Sequence, residues 1–235
     1  MSKLKFKTLV FARNDSKRLK EKHLKKIGDF TVLEHIFNRL LYVKNIESPI
    51  LATTNRTIDD KLVSHAKKIG FLIYRGRYSD VLGRFYDASK IYGADYFLKI
   101  NGDCPFISYE LCNKIINQVK LNGSKFITAK GKFIDLPIGL GPEIISVNAL
   151  NELNKKTPFK FRESISGFIF EKNDLSFKFD YLKIEKKDKF YGPNFTLDTA
   201  SDLKYLNKFW TISGNTKFSS FNLNLIKNTI LKIKG

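Results

Sequence analysis

The sequence predicts an α/β protein with a mostly parallel sheet covered by helices on both faces. Three observations carry that expectation. Short apolar, β-rich runs alternate with segments whose apolar residues recur at helical spacing. Two of the early helical segments stop at glycines, Gly70 and Gly93, as helix C-termini commonly do. The strand-like runs end in polar, charged loops, which is where open α/β sheets bind ligands.

Leu4 to Phe11 is apolar apart from its lysines and feeds the basic loop Arg13 to Lys26, so it reads as the first strand. Thr31 with Glu34 three residues on has the spacing of a capping box. Val32, Leu33, Ile36, Phe37, Leu40 and Leu41 then predict a helix to about Lys44. Pro49 to Thr54 follows as a strand, Thr57 to Ile69 as a helix, Phe71 to Tyr74 as a strand and Asp80 to Tyr92 as a helix. Asp95 to Ile100 is a further strand that runs into Asn101-Gly102-Asp103-Cys104-Pro105. In a parallel sheet the loops after Phe11, Thr54 and Ile100 share one rim. From about Lys125 the alternation weakens. Gly131, Pro137, Gly139, Gly141 and Pro142 crowd together, and β-like pieces at Glu143 to Val147 and Phe177 to Ile184 flank a helix-like Phe161 to Lys172. Phe195 to Leu197 returns as a strand, and Ser201 to Trp210 and Asn222 to Ile233 read as closing helices. A single domain over 1–235 is expected, with 125–192 as an excursion that builds an acceptor pocket or a dimerisation surface.

Lysines and arginines number 42 against 23 acidic residues, a formal net charge of +19. Such basicity suits nucleic acid, an anionic membrane or small anionic substrates. The lysines are spread from Lys3 to Lys234 without a block of five or six, and no RNP box, zinc knuckle or basic helix is present. A solvated lysine-rich surface therefore accounts for most of the charge, and a nucleic-acid-binding protein is the rival from another class. No apolar run approaches the ~18 residues of a membrane span. The start of the chain lacks a small-residue cleavage pattern and reads as a strand rather than a signal. Cys104 and Cys112 are too few for a disulfide framework or a four-ligand zinc site, so a reducing cytoplasm is the expected setting.

Two constellations carry chemistry. The first is the loop holding Arg13, Ser16, Lys17, Arg18, Lys20 and Lys22 at a strand's end. Arginine forks match phosphate oxygens, lysine supplies a mobile point charge and Ser16 a neutral donor. By itself such a loop is more often simply a solvated surface loop. No Gly-x4-Gly-Lys-Ser/Thr is present, so phosphates would be held chiefly by side chains rather than in a Walker cradle. The second is the pair Asp103 and Asp198, each at the end of an expected strand. Either alone fits a turn cap, but Mg²⁺ takes one or two protein carboxylates and completes its octahedron with water and phosphate oxygens. Asp202 reads as a helix N-terminal acid.

Ala12, Arg13, Ser16, Arg18, Leu19 and Lys22, in the pattern A-R-x-x-S-x-R-L-x-x-K, resemble the nucleotide loop of cytidylyltransferases of the spore-coat-polysaccharide type. These are relatives of the enzymes that activate sialic acid and deoxy-octulosonate as CMP sugars. The resemblance continues through Ala52 to Thr54, Asp59-Asp60, Arg75 to Tyr86, Gly102 to Pro105, Pro137 to Glu143, Arg162-Glu163 and Thr196 to Asp202. It implies a three-layer α/β/α sandwich of the nucleotide-diphospho-sugar transferase type. The implied reaction is Mg²⁺-dependent transfer of CMP from CTP to a small anionic acceptor, an acidic sugar or phosphate compound, for surface glycan synthesis, in a chain that forms a homodimer. It further implies that Arg13 and Lys22 contact the triphosphate within a loop that includes Ser16 and Arg18, and that Asp103 and Asp198 carry the metal. Ala12, Thr53 and the loop from Arg75 to Asp80 would line the cytidine, and Glu143, Arg162 and Glu163 would meet the acceptor. Two departures stand out. The family's Pro-Gly before the loop lysine is Lys20-Glu21 here, which implies a less fixed loop, and the histidine after Arg-Glu is Ser164. A glycosyltransferase, or a nucleotidyltransferase using another base, is the rival within the same fold.

Overall fold

The computed structural model describes residues 4–130, 134–163, 165–171, 175–177, 179–214 and 217–234. Its centre is a seven-stranded sheet formed by β1 (Phe6–Phe11), β4 (Ile50–Thr54), β5 (Leu72–Gly76), β6 (Tyr96–Asn101), β7 (Phe126–Thr128), β8 (Glu143–Ser146) and β9 (Phe179–Tyr181). The order is β5-β4-β1-β6-β8-β7-β9, while β2 (Lys26–Ile27) and β3 (Phe30–Thr31) make a separate two-stranded ribbon. All pairings in the large sheet are parallel except those of β8, which runs antiparallel to both β6 and β7. The carboxyl ends of β1, β4, β5 and β6 therefore meet at one rim. Being reversed, β8 delivers its first residue, Glu143, to that rim, in register with Lys99 and Thr128.

Alternation along the strands splits the core in two. Leu9, Ile50, Ala52 and Phe97 face one side, where α3 (Val81–Tyr92), α5 (Val147–Lys156) and α6 (Ile165–Glu171) cover them. Val10, Leu51, Leu98 and Ile100 face the other, under α1 (Val32–Leu40), α2 (Asp60–Ile69), α4 (Tyr109–Asn122), α7 (Ala200–Ile212) and α8 (Leu223–Lys234). Period-two burial on both faces is what a parallel sheet under two helical layers requires.

Capping fixes the helix starts. Thr31 and Glu34 close the expected capping box, and Thr199 with Asp202 forms a second one at α7. Three segments differ from expectation. Phe195 to Leu197 joins no strand: Phe195 N–H donates to the Ile138 carbonyl (2.9 Å) and Leu197 N–H to the Asp103 carbonyl (2.8 Å). The segment bonds two different partners, so no ladder forms. The helix expected over Phe161 to Lys172 is a 3₁₀ turn at Phe159–Phe161 followed by α6, and Lys172 lies outside the described residues, as do Gly131 and Ser164. Finally, α5, which the sequence reading leaves unassigned, fills the stretch after β8.

Candidate active site

The basic loop, the turn after β6 and the segment after Leu197 enclose a cleft of about 610 Å³ at the rim. Ala12, Arg13, Ser16, Arg18, Lys22, Asp103, Glu163 and Asp198 all line it, joined by Lys17, His23, Tyr78, Arg84, Lys99 and Asn101. Gly102 makes the close approach possible. Its N–H donates to the Phe11 carbonyl (2.8 Å), and a Cβ there would stand 2.6 Å from the Ala12 Cβ.

At the floor, the Lys22 Nζ lies 3.2 Å from Asp103 Oδ2 and 3.0 Å from Asp198 Oδ1, and Arg18 reaches the same Asp198 oxygen at 3.1 Å. Lys22 is buried, in keeping with its 3₁₀ turn at Lys22–Leu24. The two carboxylates come together because Leu197 hydrogen-bonds the backbone of Asp103 and because Asp202 accepts from the Asp198 N–H (3.0 Å). Two hard oxygen donors converging on one cationic centre are of the kind Mg²⁺ takes, so Asp103 and Asp198 could hold it. Among the described residues no group of three or more His, Cys, Asp or Glu could hold a metal by itself.

The loop above is cross-linked from behind. Asp59, fully buried, accepts from the Asn14 N–H (2.6 Å) and from the Thr54 hydroxyl. Asp15 pairs with Arg13 (3.1 Å) and Arg56 (2.8 Å), and both guanidiniums lie over the Tyr78 ring. Although burial opposes ionisation of Asp15, the Arg56 hydrogen bond and the Arg13 charge hold its carboxyl below the ordinary value. Burial pushes His23 down to about 4, so its imidazole is neutral at pH 7.

Several expected residues stand behind the wall rather than on it. Thr53 is fully buried in β4. Arg75 spends its guanidinium on the Thr54 and Arg56 carbonyls (2.9 and 2.8 Å) and on Asp60 (2.7 Å). Asp80 caps α3 through the Gly83 N–H (2.6 Å) and pairs with Arg162 at 2.8 Å. Arg162 is also held by Asn154, donating to its carbonyl (3.1 Å) and to its Oδ1 (2.7 Å). These contacts tie α3 to α5 and turn the Nε, Nη1 and Nη2 of Arg162 toward the scaffold, and Arg162 is not among the residues lining the cleft. Glu163 does reach the cleft, 3.8 Å from Arg13.

Glu143 faces a second cavity of about 240 Å³, which shares Lys99 and Asn101 with the cleft and is also lined by Cys104, Lys130, Ile138 and Thr196. Its Oε2 accepts from Lys99 (2.9 Å) and Ser166 (2.8 Å), and Lys130 stands 3.2 Å from Oε1. Burial alone would raise its pKa, but the charges of Lys99 and Lys130 outweigh burial and hold it at about 2. Sequence reasoning missed His23, Asp15, Arg56, Lys99 and Lys130 and gave Asp59 and Arg84 no role of their own, whereas Tyr78 lies in the Arg75 to Asp80 loop expected at the cytidine. The readable signals were Lys99, a lysine inside an otherwise apolar strand, and the doublet Asp59-Asp60 at a helix start.

A mostly parallel sheet with a charged cleft at its carboxyl rim and paired aspartates at the floor defines a nucleotidyltransferase-type α/β sandwich. The family model described as cytidylyltransferase matches residues 8–225, and the chain belongs to that family. An uncharacterised protein of Methanocaldococcus jannaschii is 36% identical over 197 residues, covering 83% of this chain and 79% of that one. The spore coat polysaccharide biosynthesis protein SpsF of Bacillus subtilis is 24% identical over 214 residues, 88% of this chain and 86% of its own. A solved cytidylyltransferase from Leptospira borgpetersenii superposes with a TM-score of 0.82 at 28% identity, covering 97% of each chain. No helix among the described residues is long and apolar enough to cross a membrane.

Proposed function

We propose that the protein transfers CMP from CTP to a small anionic acceptor, with Mg²⁺ as cofactor and pyrophosphate as leaving group, in the assembly of a surface glycan. The observation that carries this reading is the Asp103–Lys22–Asp198 cluster beneath a cationic loop, with a second, lysine-lined cavity next door. A relative named for spore coat polysaccharide biosynthesis supports the glycan setting.

The new bond joins an acceptor oxygen to the α-phosphorus, a phosphate oxygen bringing no proton and a hydroxyl giving its proton up to solvent, and the bond from that phosphorus to the bridging oxygen breaks, carrying its electron pair to pyrophosphate. The obstacle is electrostatic, since an anionic nucleophile approaches an anionic triphosphate. Arg13, Lys17 and Arg18 neutralise the phosphates from the loop side and Lys22 from the floor. Asp103 and Asp198 would hold Mg²⁺, whose charge offsets that of the triphosphate. In the second cavity Glu143 has both oxygens engaged, so the remaining N–H protons of Lys99 and Lys130 are the groups that meet an acceptor carboxylate or phosphate. Histidine base catalysis has no support in the site. His23 has both ring nitrogens engaged by backbone, His35 lies in the aromatic core and His65 bonds Thr31.

The test is pyrophosphate release from CTP, UTP, ATP and GTP against a panel of sugar acids, sugar phosphates and neutral sugars. Release with CTP that depends on an anionic acceptor supports the reading. Release from UTP or ATP in preference to CTP, or release that neutral sugars support equally, overturns it.

A further inference from the structure

We propose that His23 is a positioning residue of the cleft: its imidazole is the strut that fixes the Arg13 end of β1 against the Gly102-Asp103 turn. The consequence for turnover rests on the CTP reading above, whereas the strut itself does not.

The side chain is buried, and both ring nitrogens are used by backbone groups from two other segments. Arg13 N–H lies 3.3 Å from Nε2, and the Gly102 carbonyl lies 2.8 Å from Nδ1. These partners set the tautomer. A backbone N–H can only donate, so Nε2 accepts; a carbonyl can only accept, so Nδ1 carries the proton. A neutral imidazole thus spans a donor at the end of β1 and an acceptor at the end of β6. Immediately before it in sequence, Lys22 holds Asp103 and Asp198. One ring therefore sets the relative positions of the Arg13 segment, the Asp103 turn and Lys22.

The local backbone explains why a strut is needed. Glu21 adopts φ 53° and ψ 36°, the left-handed region that a glycine occupies without strain. The loop has no proline–glycine pair to impose that geometry. The Glu21–Lys61 ion pair (2.9 Å) sits at the surface, where such pairs hold little. His23, two residues on, is the buried anchor that keeps the strained turn and the following lysine in place. The implied looser loop is thus offset by a contact within this chain.

The experiment compares His23→Ala and His23→Gln with the wild-type chain, reading amide hydrogen exchange at Arg13, CTP affinity by calorimetry, and kcat. Gln carries both an acceptor oxygen and N–H donors on one amide, so it can reproduce part of the bridge. For His23→Ala we expect exchange at Arg13 to accelerate at least about tenfold and kcat to fall roughly 10- to 100-fold, as misplacement of catalytic groups does. CTP affinity should change less than about threefold, because the phosphate-binding side chains remain. His23→Gln should recover part of both losses. A folded His23→Ala chain with unchanged Arg13 exchange, or with faster exchange and unchanged kcat, overturns the proposal, as does a Gln variant no better than Ala. Where His23→Ala does not fold, the Gln variant decides by the same two readouts. Should the wild-type chain release no pyrophosphate from CTP, the functional reading fails while Arg13 exchange still tests the strut.

Discussion

Asp103 and Asp198, distant in the chain, share the single ammonium of Lys22 at 3.2 and 3.0 Å. Two carboxylates at such close quarters repel unless a cation stands between them, and the chain supplies one of its own. In the proposed reaction a nucleotide bound with Mg²⁺ would bring a second source of positive charge. Under the proposed function Lys22, which shares Asp198 with Arg18, would then be free to pair with phosphate oxygens.

Asp103→Asn should therefore lower kcat by roughly a hundredfold or more, the scale of losing one preorganised charge-stabilising group, without unfolding the chain. The side chain sits in a turn at the cleft and not in either core. Steady-state kinetics over a Mg²⁺ titration, with circular dichroism as the fold control, checks both halves. Turnover close to normal would remove Asp103 from the metal role.

Arg162→Ala should act on stability rather than on acceptor affinity. The substitution strips Asp80 of its 2.8 Å partner and Asn154 of two hydrogen bonds in a half-buried setting. A cost of roughly 2–3 kcal/mol, or about 5–10 °C in Tm for a chain of this size, is expected. Thermal unfolding and the acceptor KM, measured on one preparation, separate the roles. A normal Tm with a raised KM would return Arg162 to the acceptor site.

The framework of β1, β4, β5, β6 and their helices was legible because burial on a two-sided sheet imposes apolar runs, and caps such as Thr31 and Gly70 mark the helix ends. The loop residues Arg13 and Lys22 were legible as a concentration of charge after a strand. Other features depend on contacts between distant segments that no local pattern encodes. Phe195 to Leu197 has strand composition yet divides its hydrogen bonds between Ile138 and Asp103. Arg75 and Arg162 have the residue type of ligand contacts, but carbonyls and carboxylates of the scaffold claim them first. Asp59 stands out in the sequence only as part of the Asp59-Asp60 doublet, yet it is fully buried and clamps Asn14 and Thr54.

Lys130→Ala should raise the acceptor KM while leaving CTP affinity almost unchanged, because Lys130 lines the second cavity and is absent from the wall of the nucleotide cleft. Losing one charge-assisted contact corresponds to an increase of roughly 10- to 100-fold. A matched anionic acceptor and its neutral analogue make the measurement specific, since the variant should lose discrimination between them. Equal loss for both acceptors would show that Lys130 shapes the cavity without reading charge.

Glu143 gives a pH signature of the same cavity. Its folded-state pKa of about 2 lies below the ordinary 4.5, so the ionised carboxylate stabilises the fold fully above pH 4.5. That contribution disappears as pH falls from 4.5 through about 2, because protonation removes the pairing with Lys99 and Lys130. The shift corresponds to a stabilisation on the order of 3 kcal/mol at neutral pH. Glu143→Gln keeps the shape but not the charge and leaves two lysines facing one another, Lys99 being nearly buried. The variant should be less stable than wild type by about that amount at pH 7, and the gap should narrow steadily between pH 4.5 and pH 3. Urea denaturation of both proteins at a series of pH values measures it. A gap that stays constant from pH 7 to pH 3 would mean that Glu143 is not held ionised by the two lysines. The cavity's charge would then have to be assigned to Lys99 and Lys130 alone.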